Sequence, residues 1–138
     1  MILTFLDAGV LIAATRPAGE AQDRALRLIA DPERSFVSSP FLRLEVLPKP
    51  HFNGRFSEAR FLDSFFATHV EYWQHDLAAL VNSAEELAKR HGLSAINATH
   101  AATALVTGCA ELVTTEGLGK PLYRLDGFGS LRVRWLMA

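Results

Sequence analysis

Four oxygen-bearing side chains stand beside the most apolar segments of the chain, where a polar group needs a reason. Asp7 closes the run Ile2 to Leu6 and is the sole charge between Met1 and Thr15. Glu45 lies in Phe41-Leu-Arg-Leu-Glu-Val46. At about 100° per residue it shares a helical side with Phe41 and Leu42 and sits roughly 160° from Arg43, so it is expected to face inward. Asn97 falls in the first turn of an alanine-rich segment, with His100 and Ala101 three and four residues on, on a packing surface. Glu116 directly follows Glu111-Leu-Val-Thr-Thr115.

Hard oxygen donors of this kind, without paired Cys or closely spaced His, match Mg²⁺ or Mn²⁺ better than Zn²⁺. Such an ion neutralises the acids and activates water. Each residue also has a plainer reading: a helix cap for Asp7, a core ion pair for Glu45, a turn group for Asn97, loop charge for Glu116. Only their conjunction favours a site. His100 reads as a packed or supporting residue rather than a ligand. Gly117-Leu-Gly119 lacks a full dinucleotide-binding pattern and reads as a turn.

The elements that would position these groups follow from the apolar pattern. Ile2–Leu6 is a continuous apolar strand, as in a parallel sheet covered on both faces. A short helix follows Asp7 and stops at Arg16-Pro17, and another spans 19–30 before Asp31-Pro32. A strand over 36–38 leads to Ser39-Pro40, a helix start signal, with Pro48 and Pro50 ending that helix. A helix over 56–69 puts Phe61, Leu62, Phe65 and Phe66 on one side, before a strand over 70–73. Asp76 caps a long helix ended by Gly92, and Ser94 caps another ended by Gly108. Strands over 110–115 and 131–136 complete the set, the last an edge strand alternating apolar residues with Arg132 and Arg134. Strands alternating with helices predict one three-layer α/β/α domain over residues 1–138, with a mainly parallel five-stranded sheet. Ligands of such sheets bind beyond the carboxyl ends of the strands, where Asp7 and Glu116 fall.

Composition narrows the class. A chain of 138 residues with 49% hydrophobic and 21% charged residues suits one globular domain with its own core. The single Cys109 cannot form an internal disulfide and reads as a small core residue, which fits a reducing cytoplasm. The opening apolar stretch lacks a basic start and is broken by Asp7, so an export signal is not expected; nor is a membrane span, since 92–110 carries many polar groups. A formal charge of -1 gives no global basic footprint for nucleic acid, though acidic site residues would mask a local basic rim.

Taken together, the segments "FLDAGVLIA", "LRLEVL", "INATHAATA" and "ELVTTE" resemble, in order and spacing, the four acidic motifs of the PIN-domain family, whose members include the toxin ribonucleases of VapBC toxin–antitoxin pairs. The resemblance runs over nearly the whole chain. It implies a Mg²⁺- or Mn²⁺-dependent ribonuclease in which Asp7 and Glu116 are the principal metal ligands. Glu45 then ligates through water or orients the nucleophile, and Asn97 is a neutral ligand or positioning group. It further implies an RNA substrate, an antitoxin partner and a homodimer. Arg16, Lys49, Arg55, Lys120 and Arg124 lie at loops or element ends, where they can meet phosphates. Two departures stand out: Asn97 replaces an expected aspartate, and Ala8-Gly9 stands where a hydroxyl residue is usual. With Asp7, Glu45 and Glu116 ionised the site carries about -3 and grips a divalent ion less tightly than four carboxylates would. The alternative is a degenerate PIN fold that binds RNA or a protein partner without cleaving.

Overall fold

A computed structural model describes residues 1–138. Five strands, β1 (Ile2–Leu6), β2 (Arg34–Ser38), β3 (Val70–Trp73), β4 (Glu111–Thr114) and β5 (Arg132–Trp135), form one parallel sheet in the order β3-β2-β1-β4-β5. The apolar runs are buried on both faces, as a parallel sheet requires: Phe5, Leu6, Val37, Leu112 and Val113 are all core residues. At the edge, β5 exposes Arg132 and Arg134 and buries Val133, the expected alternation.

Helices α1 (Ala8–Thr15) and α2 (Glu20–Ala30) pack on each other, as do α6 (Leu77–His91) and α7 (Ala95–Val106). α7 lies against β1, β2 and β4. Its fully buried Ala98, Ala101 and Ala102 explain the close approach, since methyl side chains let a helix backbone settle onto the sheet. The caps form where the sequence placed them. Asp7, Asp76 and Ser94 accept from Val10, Ala79 and Asn97 amides at 3.2, 3.1 and 3.3 Å. Gly92 closes α6 with φ 66°, a left-handed cap that costs glycine little.

Three local expectations need correction. Ser39 occupies the N-cap position of α3 (Pro40–Val46), but its hydroxyl makes no capping bond and is buried without a partner. α3 ends at Val46, just before Pro48 as expected, but Pro48 is not a stop for the helical path. It opens a further short helix, α4 (Pro48–Phe52), because a proline in the first turn forfeits no helical hydrogen bond. The predicted helix over 56–69 divides into α5 (Phe56–Ser64) and a wider π-helical turn over Phe65–His69. That turn carries two successive rings, Phe65 and Phe66, into the core.

The strand order fixes where a site belongs. The chain runs outward from β1 through β2 to β3, then returns to lay β4 on the other side of β1. The direction of winding therefore reverses between β1 and β4, and sheets of this kind bind their ligands beyond the carboxyl ends at such a reversal. Asp7 and Glu116 are the residues that leave those two ends. No helix is long and apolar enough to cross a membrane.

Candidate active site

Asp7 anchors this end of the sheet. Its amide donates to the Val113 carbonyl of β4 at 3.1 Å, and its Oδ1 caps α1. Only 8% of the residue is exposed. Burial pushes its carboxyl above the ordinary aspartate range, and the Glu116 charge adds to this. The Thr114 hydroxyl, the Val10 amide and the charge of His100 pull the other way. The Thr114 hydroxyl, at the end of β4, also accepts the Glu116 amide at 3.0 Å. Glu116 is fixed twice more: its carboxylate accepts from the Asn97 amide at 2.9 Å, and its carbonyl accepts from the Tyr123 hydroxyl at 2.7 Å. Tyr123 comes from a 3₁₀ turn over Pro121–Leu125. Burial, then the charges of Asp7 and Glu116, raise its hydroxyl pKa.

Glu45 reaches the same region through α7. His100 Nε2 lies 2.7 Å from Glu45 Oε1, and the His100 ring packs on Phe5 with centroids 5.2 Å apart. Asn97 and His100 are one helical turn apart, so α7 presents one group to Glu116 and the next to Glu45. The expectation that Glu45 faces fully inward is corrected here: 32% of its side chain is exposed, at the rim, while His100 behind it is 3% exposed. A short α3 ending at Val46 leaves its last turn at the protein surface.

The loop after β4 is held at close range. A Cβ at Gly9 would sit 1.9 Å from the Thr115 hydroxyl, so the absence of a side chain in the first turn of α1 is what lets Thr115 sit there. This gives the unusual Ala8-Gly9 pair a physical role.

The donors suit a hard divalent cation in kind, because Asp7, Glu116 and the Asn97 amide offer oxygen and no soft ligand. In number they are sparse: no three of the His, Cys, Asp and Glu side chains gather tightly enough to hold a metal ion. Mg²⁺ tolerates such a set, keeping several waters and taking one or two carboxylates plus substrate phosphate oxygens. A cation is also the partner that a buried, charge-penalised Asp7 lacks.

Of the five cations expected near phosphates, two are already committed. Arg55 pairs with Glu58 at 3.2 Å and Arg124 donates to the His91 carbonyl at 2.6 Å. Arg16, Lys49 and Lys120 are exposed. Sequence reasoning passed over Thr114 and Tyr123. Thr114 had a signal, a hydroxyl at the last position of an apolar strand, whereas Tyr123 reaches the site only through a turn that no periodicity announces. It also passed over Glu111, whose buried carboxylate lies at the opposite end of β4 and accepts from Thr4, Arg34 and Arg134 at 3.0, 2.6 and 3.0 Å. Cys109 is a core residue as expected, its thiol pushed up to about 11 mainly by burial.

Residues 4–118 match the PIN-domain family. The chain belongs to that family. No curated protein matches this PIN domain by sequence. Among solved structures, it is similar to VapBC2 of Rickettsia felis bound to a promoter DNA fragment, with TM-score 0.67 and 16% identity over 97% of this chain and 98% of that one. It is also similar to VapC20 of Mycobacterium tuberculosis, a toxin that cleaves the sarcin–ricin loop, with TM-score 0.66 and 20% identity over 86% and 92% of the two chains. A toxin–antitoxin complex of Klebsiella pneumoniae gives TM-score 0.64 and 17% identity over 93% and 94%. At these identities the likeness is one of fold.

Proposed function

We propose that this PIN domain is a metal-dependent ribonuclease, hydrolysing phosphodiester bonds of RNA, and the toxin of a toxin–antitoxin pair in the cytoplasm. The observation that carries this reading is the placement of Asp7 and Glu116 at the strand-order switch point, with Asn97 on Glu116 and His100 on Glu45. PIN-family membership supports a nuclease. The neighbours of known structure, which include toxin–antitoxin complexes, support an antitoxin partner for this chain. A homodimer is part of the same proposal.

Asp7 and Glu116 would hold a Mg²⁺ or Mn²⁺ ion, with the Asn97 amide oxygen as a neutral third donor. When bound, such an ion polarises a phosphoryl oxygen and lowers the pKa of its water. The chain's own groups do the rest. The Val10 amide holds the Asp7 carboxylate, Thr114 fixes the Glu116 backbone, Asn97 and Tyr123 fix Glu116, and His100 holds Glu45 at the rim, where its carboxylate can orient a water. Cleavage of RNA in Mn²⁺ by the native chain, falling by at least about 100-fold in Asp7→Ala, is the expected result. Equal rates in the two proteins refute it.

A second reading, a PIN fold that binds without cutting, is favoured by one observation: Asn97 supplies an amide, so no third carboxylate sits beside Asp7 and Glu116. Calorimetric titration with Mn²⁺ separates the two. Binding by Asn97→Asp alone supports the non-cutting reading, and binding by the native chain overturns it.

A further inference from the structure

A cleft of about 420 Å³ opens between α2 and the β4–β5 edge. Arg24, Arg27, Arg34 and Arg134 line it, above an apolar floor that includes Val113 and Trp135. Four guanidinium groups in one small cleft repel one another unless acids intervene, so their partners decide what the cleft can take. Arg34 is 13% exposed and committed, paired with Asp31 and with the buried Glu111. Arg24 bonds Glu20 and the Leu136 and Ala138 carbonyls. Arg134 gives one N–H to Glu111, yet 58% of its side chain stays in solvent. Arg27 has no acid partner, and its sole hydrogen bond runs to the Asp23 carbonyl of its own helix. Two guanidinium groups, Arg27 on α2 and Arg134 on β5, therefore present free donors across an apolar floor.

We propose that this cleft binds a segment of single-stranded RNA, with Arg27 and Arg134 on backbone phosphates and Trp135 against a base. The guanidinium fork matches two phosphate oxygens at once, and an indole face accepts any base by stacking. Continuity with the acidic site favours RNA over an acidic peptide. Trp135 pairs in register with Thr114, two residues before Glu116, so the Trp135 end of the cleft adjoins the carboxyl ends of β4 and β5, where a strand leaving the acidic site would enter, while Arg34 and its partner Glu111 mark the far end. The inference rests on the ribonuclease reading for its choice of ligand and extends it by naming where uncleaved RNA is gripped.

The test uses the full chain and a fluorescein-labelled single-stranded oligouridylate in EDTA, so that binding is read without cleavage. Arg27→Glu is the main variant, because Arg27 makes no tertiary bond whose loss would unfold the protein. Its anisotropy-derived affinity is expected to fall at least about fivefold at low salt, with the slope of log K against log salt reduced by about 0.7 for each phosphate that is no longer neutralised. In a Trp73→Phe background, oligouridylate should quench Trp135 emission, and the quenching should disappear in Arg27→Glu. Arg134→Lys, which keeps the charge but not the fork, should weaken binding less than Arg27→Glu. Unchanged affinity and slope in Arg27→Glu overturn the proposal. So does quenching of Trp135 by polyglutamate but not by oligouridylate, which assigns the cleft to an acidic peptide. If native protein fails to cut RNA yet binds it through Arg27, the nuclease reading falls and the cleft stands.

Discussion

Asp7 illustrates how a buried carboxylate burdens the fold that carries it. Its pKa is raised, so folding favours its protonated form; at neutral pH the ionised side chain is buried at a cost, and that cost shrinks as pH falls toward the ordinary aspartate value of 3.8. Asp7→Asn removes the charge and keeps an oxygen to cap α1, since Asn and Asp serve equally at that position. The variant should melt higher than the native chain in metal-free buffer, by about 1 kcal/mol or roughly 3 °C, while losing RNA cleavage. Circular dichroism melts in EDTA measure this, and a lower melting temperature contradicts the account. Added Mn²⁺ should raise the native melting temperature and leave that of Asp7→Asn unchanged, because only an ion bound to the folded state stabilises it.

At the scale of elements, the approach of α1 to the loop after β4 depends on one missing side chain. Gly9→Ala places a methyl against Thr115, whose hydroxyl and Cβ would lie 1.9 and 3.0 Å from it, so Thr115 must move and Glu116 with it. Overpacking costs about 1–3 kcal/mol, and the better helix propensity of alanine returns under about 1 kcal/mol. A net loss of about 1–2 kcal/mol in urea denaturation is expected, together with reduced cleavage. Thr115→Gly should restore most of the stability in the double variant, and full additivity of the two changes would show that they do not touch. The elements at this junction were legible in the sequence because a parallel strand buried on both faces leaves an unmistakable apolar run, and a carboxylate at its end is conspicuous. The closeness of Gly9 to Thr115 was not legible, since it arises between residues far apart along the chain. The same holds for the pairing of Glu45 with His100. Periodicity put Glu45 on an inward side, but only the end of α3 at the surface and a buried imidazole from α7 explain why it stands at the rim. Pro48 closes α3 as the sequence implied, but the helix it opens was not legible, as proline both breaks a helix it interrupts and starts one it precedes.

Across the whole molecule the sheet separates two kinds of charge. At the carboxyl ends of β1 and β4 the acids lack cations, whereas Glu111, at the other end of β4, is surrounded by them. Its carboxylate ties its own strand to three others, accepting from Thr4 of β1, Arg34 of β2 and Arg134 of β5. Burial alone would raise its pKa, but the hydrogen bond and charge of Arg34, with Thr4 and Arg134, outweigh that and hold it below the ordinary glutamate value of 4.5. A lowered folded-state pKa contributes stability that is fully present above 4.5 and is lost as pH falls through the lower folded value. Asp7 contributes in the opposite direction over its own range, so the two ends of the sheet respond oppositely to acid. Glu111→Gln should therefore cost about 3 kcal/mol at neutral pH, because it leaves the part-buried Arg34 without its main partner. It should also flatten the loss of stability below pH 4.5, while Asp7→Asn should steepen it. Urea melts of the three proteins from neutral to acid pH measure both slopes. A native-like acid profile in Glu111→Gln would mean that other carboxylates govern acid unfolding and that this cluster contributes packing rather than charge.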